Sequence, residues 1–461
     1  MNTYTFTLRR SYNGSAIWLQ VLLLAIISFL ALSGFQNSYA ESCRKRNKSP
    51  TRKKETKSTR GEEKAGFAAK AARMIFEEHH AGVFGSPHTI SALPILYYDF
   101  RTGLNFGFRA LILSRRKNPY LYRLTLQIIA SLKGSHKHKL LFEYPDIGGS
   151  PYGLMVQAEW EQDLEARYFG IGNNSINNED LTDPESENFV DEDFYLYNLK
   201  RPRLTVYGIR EILPDLSFSL GFGVENVKPQ LKKSSETSFL AQDRPFGHLG
   251  GAGRSLSFRL SWDTRTNDIF PLEGFLTEFT FEPNFATVDI ENEGQNGTQT
   301  SSRIVTFYRY TFSDAHFIPM YSNRLIFANR IAFEAIAGEA PYYAYGETAG
   351  QRRTRSLGGS QSLRGFQSRR FHGKIKFFTL TELRYRFRTF NLMTQSLDLI
   401  LVAFFDNGRV WNRLSEVSFH DFHTTCGGGI WLNWDNNLII RLDIGRSKEG
   451  TIAFLRLNSA F

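Results

Sequence analysis

The sequence predicts an all-β membrane protein: a 16-stranded antiparallel transmembrane β-barrel with a long inward-folded loop, preceded by a signal peptide and a basic linker. Three observations lead there. From residue 88 onward apolar and polar residues alternate with a period of two over stretches of ten or more residues, the spacing that sorts side chains onto the two faces of a strand. The polar set is rich in Arg accompanied by Asp and Glu, which suits an enclosed lumen, whereas a soluble sandwich turns its polar face to bulk water. Phe and Tyr are abundant, 40 and 20 among 461 residues, and both favour strands and membrane interfaces.

Composition removes the competing classes. Apolar residues make up 41% and charged residues 22%, so the chain is not disordered as a whole. Beyond residue 35 no stretch approaches the roughly 18 consecutive apolar residues that a membrane helix needs. Two cysteines, Cys43 and Cys426, make neither a disulfide framework nor a paired-cysteine zinc site. The net charge is +10, but residues 1–60 hold +9 of it and residues 61–461 only +1. The folded part therefore lacks the clustered basic face that nucleic acid requires, and none is expected as a partner.

The elements follow in order. Arg9 and Arg10 precede an apolar run from Ala16 to Leu32, and Ser38 and Ala40 are small. This predicts a secretory signal peptide over 1–40. Residues 41–87 read as a basic polar periplasmic linker, with nine Lys/Arg between residues 44 and 60 and no apolar face there. Such a segment suits an anionic membrane surface or a solvated tether. Residues 88–461 are assigned to the barrel.

Sixteen strands are predicted at 88–98, 103–113, 120–131, 137–146, 155–169, 194–208, 215–227, 252–264, 274–287, 303–313, 322–336, 376–388, 396–408, 424–434, 437–446 and 450–461. Leu216, Phe218, Leu220, Phe222 and Val224 alternate with Ser217, Ser219, Gly221, Gly223 and Glu225. Leu256, Phe258, Leu260 and Trp262 alternate with Ser257, Arg259, Ser261 and Asp263. Leu383, Tyr385 and Phe387 alternate with Glu382, Arg384, Arg386 and Arg388, and the last strand sets Leu455 and Leu457 opposite Phe454 and Arg456. Short turns such as Asp435-Asn436 and Leu213-Pro214 fall at one end, and the longer segments 170–193, 228–251, 288–302, 337–375 and 409–423 at the other. An even strand count lets the sheet close antiparallel without edges, and this orientation turns the long loops outward.

The loop 337–375 contains Leu357-Gly358-Gly359-Ser360 and then Leu363-Arg364-Gly365-Phe366. A strand with Glu382-Leu383-Arg384-Tyr385 follows, then Phe404-Phe405-Asp406-Asn407-Gly408 with Arg409-Val410-Trp411. Upstream stand Tyr168-Phe169-Gly170-Ile171-Gly172-Asn173 and Asp263-Thr264-Arg265 through Phe270-Pro271 to Gly274, and the chain ends in Phe461. In this ordered combination the chain resembles the bacterial surface antigen family, the BamA/TamA-type outer-membrane assembly factors, which are also related to two-partner secretion transporters. The resemblance covers residues 88–461.

Side-chain parity gives part of the same answer without the family. Glu382 shares the lumenal face with Arg384, and Asp406 with Asp398, so two carboxylates on adjacent strands point inward. A long loop folded into the lumen brings Arg364 between them for charge-assisted, bidentate hydrogen bonds. Gly365 allows a close approach or a positive φ at the loop tip, and Phe366 packs against the inner wall. The resemblance implies the same loop-to-wall contact for Arg364, Gly365, Phe366, Glu382, Asp406 and Gly408, and a C-terminal barrel signal at Phe461. This cluster pins a plug and performs no chemistry. The Asp263–Gly274 segment reads as a strand cap and turn, the acidic loop 179–193 as a solvated surface, and Trp160, Trp411, Trp431 and Trp434 as interfacial girdle residues.

No enzyme is expected. Gly358-Gly359-Ser360-Gln361-Ser362 lacks the final Gly of a nucleophile elbow. His79-His80 and the pair His420 and His423 lack the spacing of a zinc helix. No phosphate-binding loop occurs, so neither cofactor nor metal is predicted. The resemblance implies a monomeric barrel in the outer membrane that assists insertion or translocation of proteins or lipids. Its expected partners are outer-membrane lipids, lipopolysaccharide, and unfolded outer-membrane or secreted protein clients. A gated or plugged pore and a surface antigen or receptor barrel without insertase activity are the alternatives. Members of the family carry periplasmic POTRA domains before the barrel; residues 41–87 are too few for one and have the wrong composition.

Overall fold

The computed structural model describes residues 3–7, 79–83, 86–99, 103–114, 120–232, 237–294, 297–321, 323–350, 353–392, 395–434, 436 and 438–457. Most of the signal-peptide and linker segments, together with Phe461, lie outside the described residues.

Sixteen long strands follow one another along the chain. They begin with β1 (Ser86–Asp99), β2 (Gly103–Ser114), β3 (Arg123–Ser131), β4 (His136–Tyr144), β5 (Tyr152–Arg167) and β6 (Leu196–Leu213). Next come β7 (Leu216–Gln230), β8 (Gly251–Asp263), β9 (Gly274–Gly294), β10 (Gly297–Tyr321) and β11 (Leu325–Gly338). The last five are β12 (Ile375–Leu392), β13 (Gln395–Trp411), β14 (His423–Trp434), β15 (Leu438–Ser447) and β16 (Gly450–Leu457). Each pairs antiparallel with the next, in one continuous ladder from β1 to β16. Ile95 of β1 and Ile129 of β3 pack with Leu455 and Leu457 of β16, so the sheet curls until its first and last strands meet. The fold is a barrel.

Burial follows the alternation. On β7 and β8, Leu220, Phe222, Leu260 and Trp262 are exposed on the outside, while Ser219, Arg259 and Ser261 are buried on the inside. Outward apolar side chains meet lipid, and inward polar ones must find partners in the lumen.

Three expectations are corrected. The segment 288–302 is no loop: β9 and β10 run through it, pairing as far as Gly294 opposite Gly297. Antiparallel pairing satisfies its backbone groups, helped by Ser302 donating to Asp289 at 2.9 Å. Residues 79–83, read as linker, form a strand on β1, and Thr3–Thr7 forms another on β16; each covers an edge of backbone donors and acceptors. Leu455 and Leu457 cover the first strands at the seam, so the apolar side of β16 serves packing as well as lipid. A bulge between Arg386 and Arg388 shifts the β12 register, so that Arg386 pairs with Ile400 and Arg388 with Leu399. The extra residue turns Arg388 away from the face that holds Glu382 and Arg384.

The long connections 168–195, 231–250, 339–374 and 412–422 gather at one end of the strands. Two short helices lie among them, α1 (Phe239–Asp243) and α2 (Tyr342–Tyr345). Tyr168, Tyr197, Leu240, Tyr342 and Tyr343 join these loops in one buried cluster.

Candidate functional site

The loop between β11 and β12 enters the lumen and is buried along most of its length. Its own turn is set by Gly358 and Gly359, both in the left-handed region at φ +104° and +95°. The Gly358 N–H donates to Ser362 Oγ at 3.0 Å, and that hydroxyl donates to the Ser356 carbonyl at 3.2 Å. The turn presents Leu363-Arg364-Gly365-Phe366 to the wall formed by β12 to β15.

The wall is prepared by register. Glu382 of β12 faces Phe404 of β13, and Leu380 faces Asp406, so the two carboxylates are diagonal neighbours on the inner face. Arg364 lies between them, fully buried. Its Nη1 donates to Glu382 at 2.5 Å, while Nε and Nη2 donate to the two Asp406 oxygens at 2.8 and 2.6 Å. The Arg364 backbone N–H adds a third bond to Asp406 at 3.2 Å. Glu382 also accepts from Arg384 Nε at 2.7 Å. The Arg364 guanidinium lies over the Phe404 ring, 3.6 Å from its centroid, in the arrangement that attracts a cation to a π face.

Glycines shape the contact. A Cβ on Gly365 would fall 2.7 Å from the Arg446 carbonyl carbon and 2.8 Å from the Ser447 nitrogen. Gly365 is therefore required for close approach to β15, not for a positive φ. A Cβ on Gly445 would sit 2.4 Å from the Arg364 carbonyl oxygen, and one on Gly427 would sit 2.5 Å from the Phe404 ring. The Gly365 N–H donates to Thr425 Oγ1 at 3.2 Å, and Ser447 Oγ donates to the Gly365 carbonyl at 2.7 Å. Phe366 is buried with Leu357, Leu363, Phe371 and Phe378 in one apolar cluster. A Cβ on Gly408 would strike Leu357 Cδ2 at 2.7 Å, so Gly408 makes room for the loop.

The same loop is tied to the facing wall. Glu347 accepts from Arg201 at 2.7 Å and from Arg203 at 2.6 Å, both on β6. Arg353 reaches Glu282 of β9 at 2.5 Å, and Arg355 reaches Glu161 of β5 at 2.5 Å. Arg370 joins Glu449, in the turn between β15 and β16, at 2.9 Å. The loop is thus fastened around the lumen, and it stands as a plug.

A second segment enters from the short-turn end. Asp263 and Arg265 cap β8 through an ion pair of 2.8 Å. Beyond them, Phe270 is buried against Phe317 and Trp431, and Asp268 reaches Arg123 of β3 at 2.8 Å. The Arg384 guanidinium lies 5.0 Å from the Trp431 ring and 6.0 Å from that of Phe270. Arg384 therefore links Glu382, the wall residue that holds Arg364, to the turn below it.

Two tryptophans are corrected. Trp431 and Trp411 are buried, and Trp431 donates to Asp443 at 2.8 Å, whereas Trp160 is exposed as a girdle residue would be. The glycine run Gly427-Gly428-Gly429 leaves β14 without side chains to mark its faces, and the inner face accepts the indole because Gly429 leaves room beside Asp443. Sequence reasoning also missed Phe404 under Arg364 and the ties to β5, β6 and β9. The glycine run was the available signal for a close approach on β14.

No curated protein sequence matches the chain. Among solved structures it is similar to BamA from Haemophilus ducreyi lacking POTRA domains 1–3, at 13% identity and a TM-score of 0.46, covering 86% of this chain and 78% of that one. A bacterial polysaccharide outer-membrane secretin aligns at 9% identity and a TM-score of 0.34, over 81% of this chain and 97% of that one. The Pseudomonas putida toluene transporter TodX aligns at 12% identity and a TM-score of 0.32, over 72% of this chain and 83% of that one. Residues 129–448 match the Omp85 superfamily domain, and they include all sixteen strands except β1, β2, β16 and the start of β3. With more than half its length in that match, the chain belongs to the Omp85 superfamily.

Proposed function

We propose that this protein assists the insertion or translocation of proteins, or of lipids, at the seam of an outer-membrane barrel, with the loop 337–375 as a fixed internal plug. The observation that carries this reading is the Arg364 clamp, fully buried between Glu382 and Asp406. It welds the plug to β12 and β13 and so favours work at the barrel's flank over passage through its middle. The seam, by contrast, packs through a small apolar cluster of four side chains, with the short strands 3–7 and 79–83 laid along its edges. Strand lengths support the same reading: β3 and β4 have 9 residues each and β15 has 10, against 21 in β9 and 25 in β10. A short wall beside the seam draws the bilayer thin there, which lowers the cost of inserting a client.

The test is assisted folding. Purified protein is placed in liposomes, an unfolded outer-membrane barrel is added as client, and its protease protection is followed over time. The expected result is acceleration by the intact protein and its loss in Arg364→Ala, with the barrel itself still folded. No acceleration by the intact protein would sink the reading. The charged lining that fastens the plug favours a gated pore as the second reading; high conductance in Arg364→Ala without client folding would select it.

A further inference from the structure

The inner and outer faces of β6 to β8 treat their cations differently. Inside, Arg201 and Arg203 share Glu225 and Glu347. Outside, near the long-loop end, Lys200 of β6 pairs in register with Lys228 of β7. Like charges set directly opposite on one face repel. Among the described residues no carboxylate forms an ion pair with Lys200, Lys228 or the neighbouring outward Arg254 of β8, although such pairs are common on the inner face. Three cations on an exposed strand face therefore await an anion.

Register places them on a chemical ladder. One row further toward the long loops, Asn198 faces Gln230. Two rows in the opposite direction, Leu204 faces Val224, which in turn faces Arg254. Leu204, Leu220 and Phe222 then continue as the exposed apolar band. On this outward face the order is thus amides, cations, then lipid-facing apolar side chains, with the outward Trp160 exposed on neighbouring β5. A phosphorylated glycolipid has the same order, with sugar hydroxyls above phosphates above acyl chains.

We propose that the outward face of β6 to β8 binds a phosphorylated glycolipid of the leaflet at the long-loop end, with Lys200 and Lys228 seating its phosphate and Arg254 completing the site. Asn198 and Gln230 meet the sugar, and Leu204 and Val224 the first methylenes of the chains. Occupation relieves the repulsion between the two lysines and fixes the height of this wall in the bilayer. The inference rests on the outer-membrane placement proposed above.

The test uses the full protein reconstituted in phosphatidylcholine vesicles doped with diphosphorylated lipid A, with its dephosphorylated form, or with phosphatidylglycerol. Lipid retained through detergent extraction is measured by native mass spectrometry. The control variant is Arg210→Gln, an outward cation on β6 toward the short-turn end, beside Tyr152. The intact protein and Arg210→Gln are expected to retain diphosphorylated lipid A over both other lipids. In Lys200→Gln/Lys228→Gln retention falls about thirtyfold, as losing two cations near an anionic surface requires. Equal retention by the double variant overturns the site, as does equal retention of the dephosphorylated form. Equal retention of phosphatidylglycerol overturns the glycolipid assignment. A protein that yields no protease-protected barrel in any vesicle fails the membrane placement itself, whereas a protected barrel without phosphate preference fails this inference alone.

Discussion

The plug meets its two walls in different ways. Against β12 to β15 one arginine serves two carboxylates over an aromatic ring, and the backbones close onto glycines. Against β5 to β9 the plug's charges enter a shared network in which Glu347 meets two arginines and both of those also hold Glu225. At the first wall Arg364 is, among the described residues, the one cation that holds Asp406, and Arg384 alone backs it up at Glu382. The second has spare partners. Buried charge is costly when a partner is lost, so the first wall is fragile toward single changes and the second tolerant of them.

Arg364→Ala breaks that contrast most sharply, because it strands Asp406 in a buried site and leaves Glu382 with Arg384 alone. A loss of about 3–5 kcal/mol is expected, read as a lower unfolding temperature of the detergent-solubilised barrel. Arg364→Lys should recover less than half, since one ammonium does not match the fork that spans both acids. Gly365→Ala comes next: its methyl lands against the Arg446 and Ser447 backbone, costing about 1–3 kcal/mol and exposing the plug to limited proteolysis. Gly208→Ala, which meets nothing within 4 Å, is the silent control. On the tolerant wall Glu347→Gln should cost only about 1 kcal/mol, since Arg201 and Arg203 retain Glu225. Combining it with Glu225→Gln should exceed the sum of the two single changes.

The smallest effect near neutrality is a pH dependence. Burial, with Arg369 nearby, pushes His372 of the plug down to about 3 from an ordinary 6.5. The unfolded chain therefore binds this proton more readily, and stability falls as pH drops from 6.5 toward 3. His372→Asn should flatten that acid limb in a pH series of unfolding temperatures while leaving pH 8 nearly unchanged.

Much of this was legible in the sequence, for a physical reason. A strand between lipid and lumen must alternate, so each of the sixteen announced itself by side-chain parity. The same parity put Glu382 and Asp406 on the inner face and made Arg364 their natural counter-charge. What stayed hidden depends on register and on distant segments. Phe404 reaches Arg364 only because Gly427 stands opposite it on β14. Glu347 and Arg201 are 146 residues apart, and no local pattern links them. Arg388 was misassigned because a single bulged residue reverses parity without a marked change in composition. Phe270 looked like part of a plain turn, since nothing in Asn267 to Gly274 tells that the turn folds inward.

Gly365, Gly408 and Gly445 stand where the plug and the wall come closest. Every possible replacement of glycine adds at least one carbon atom, so inheritance can err at these three codons in one direction only, toward crowding. A protein-coding change elsewhere in the lumen trades one shape for another, whereas here it can only wedge two surfaces apart. Offspring that carry such a change start with a loosened stopper, and the remedy is reversion or a matching loss of bulk from the segment opposite.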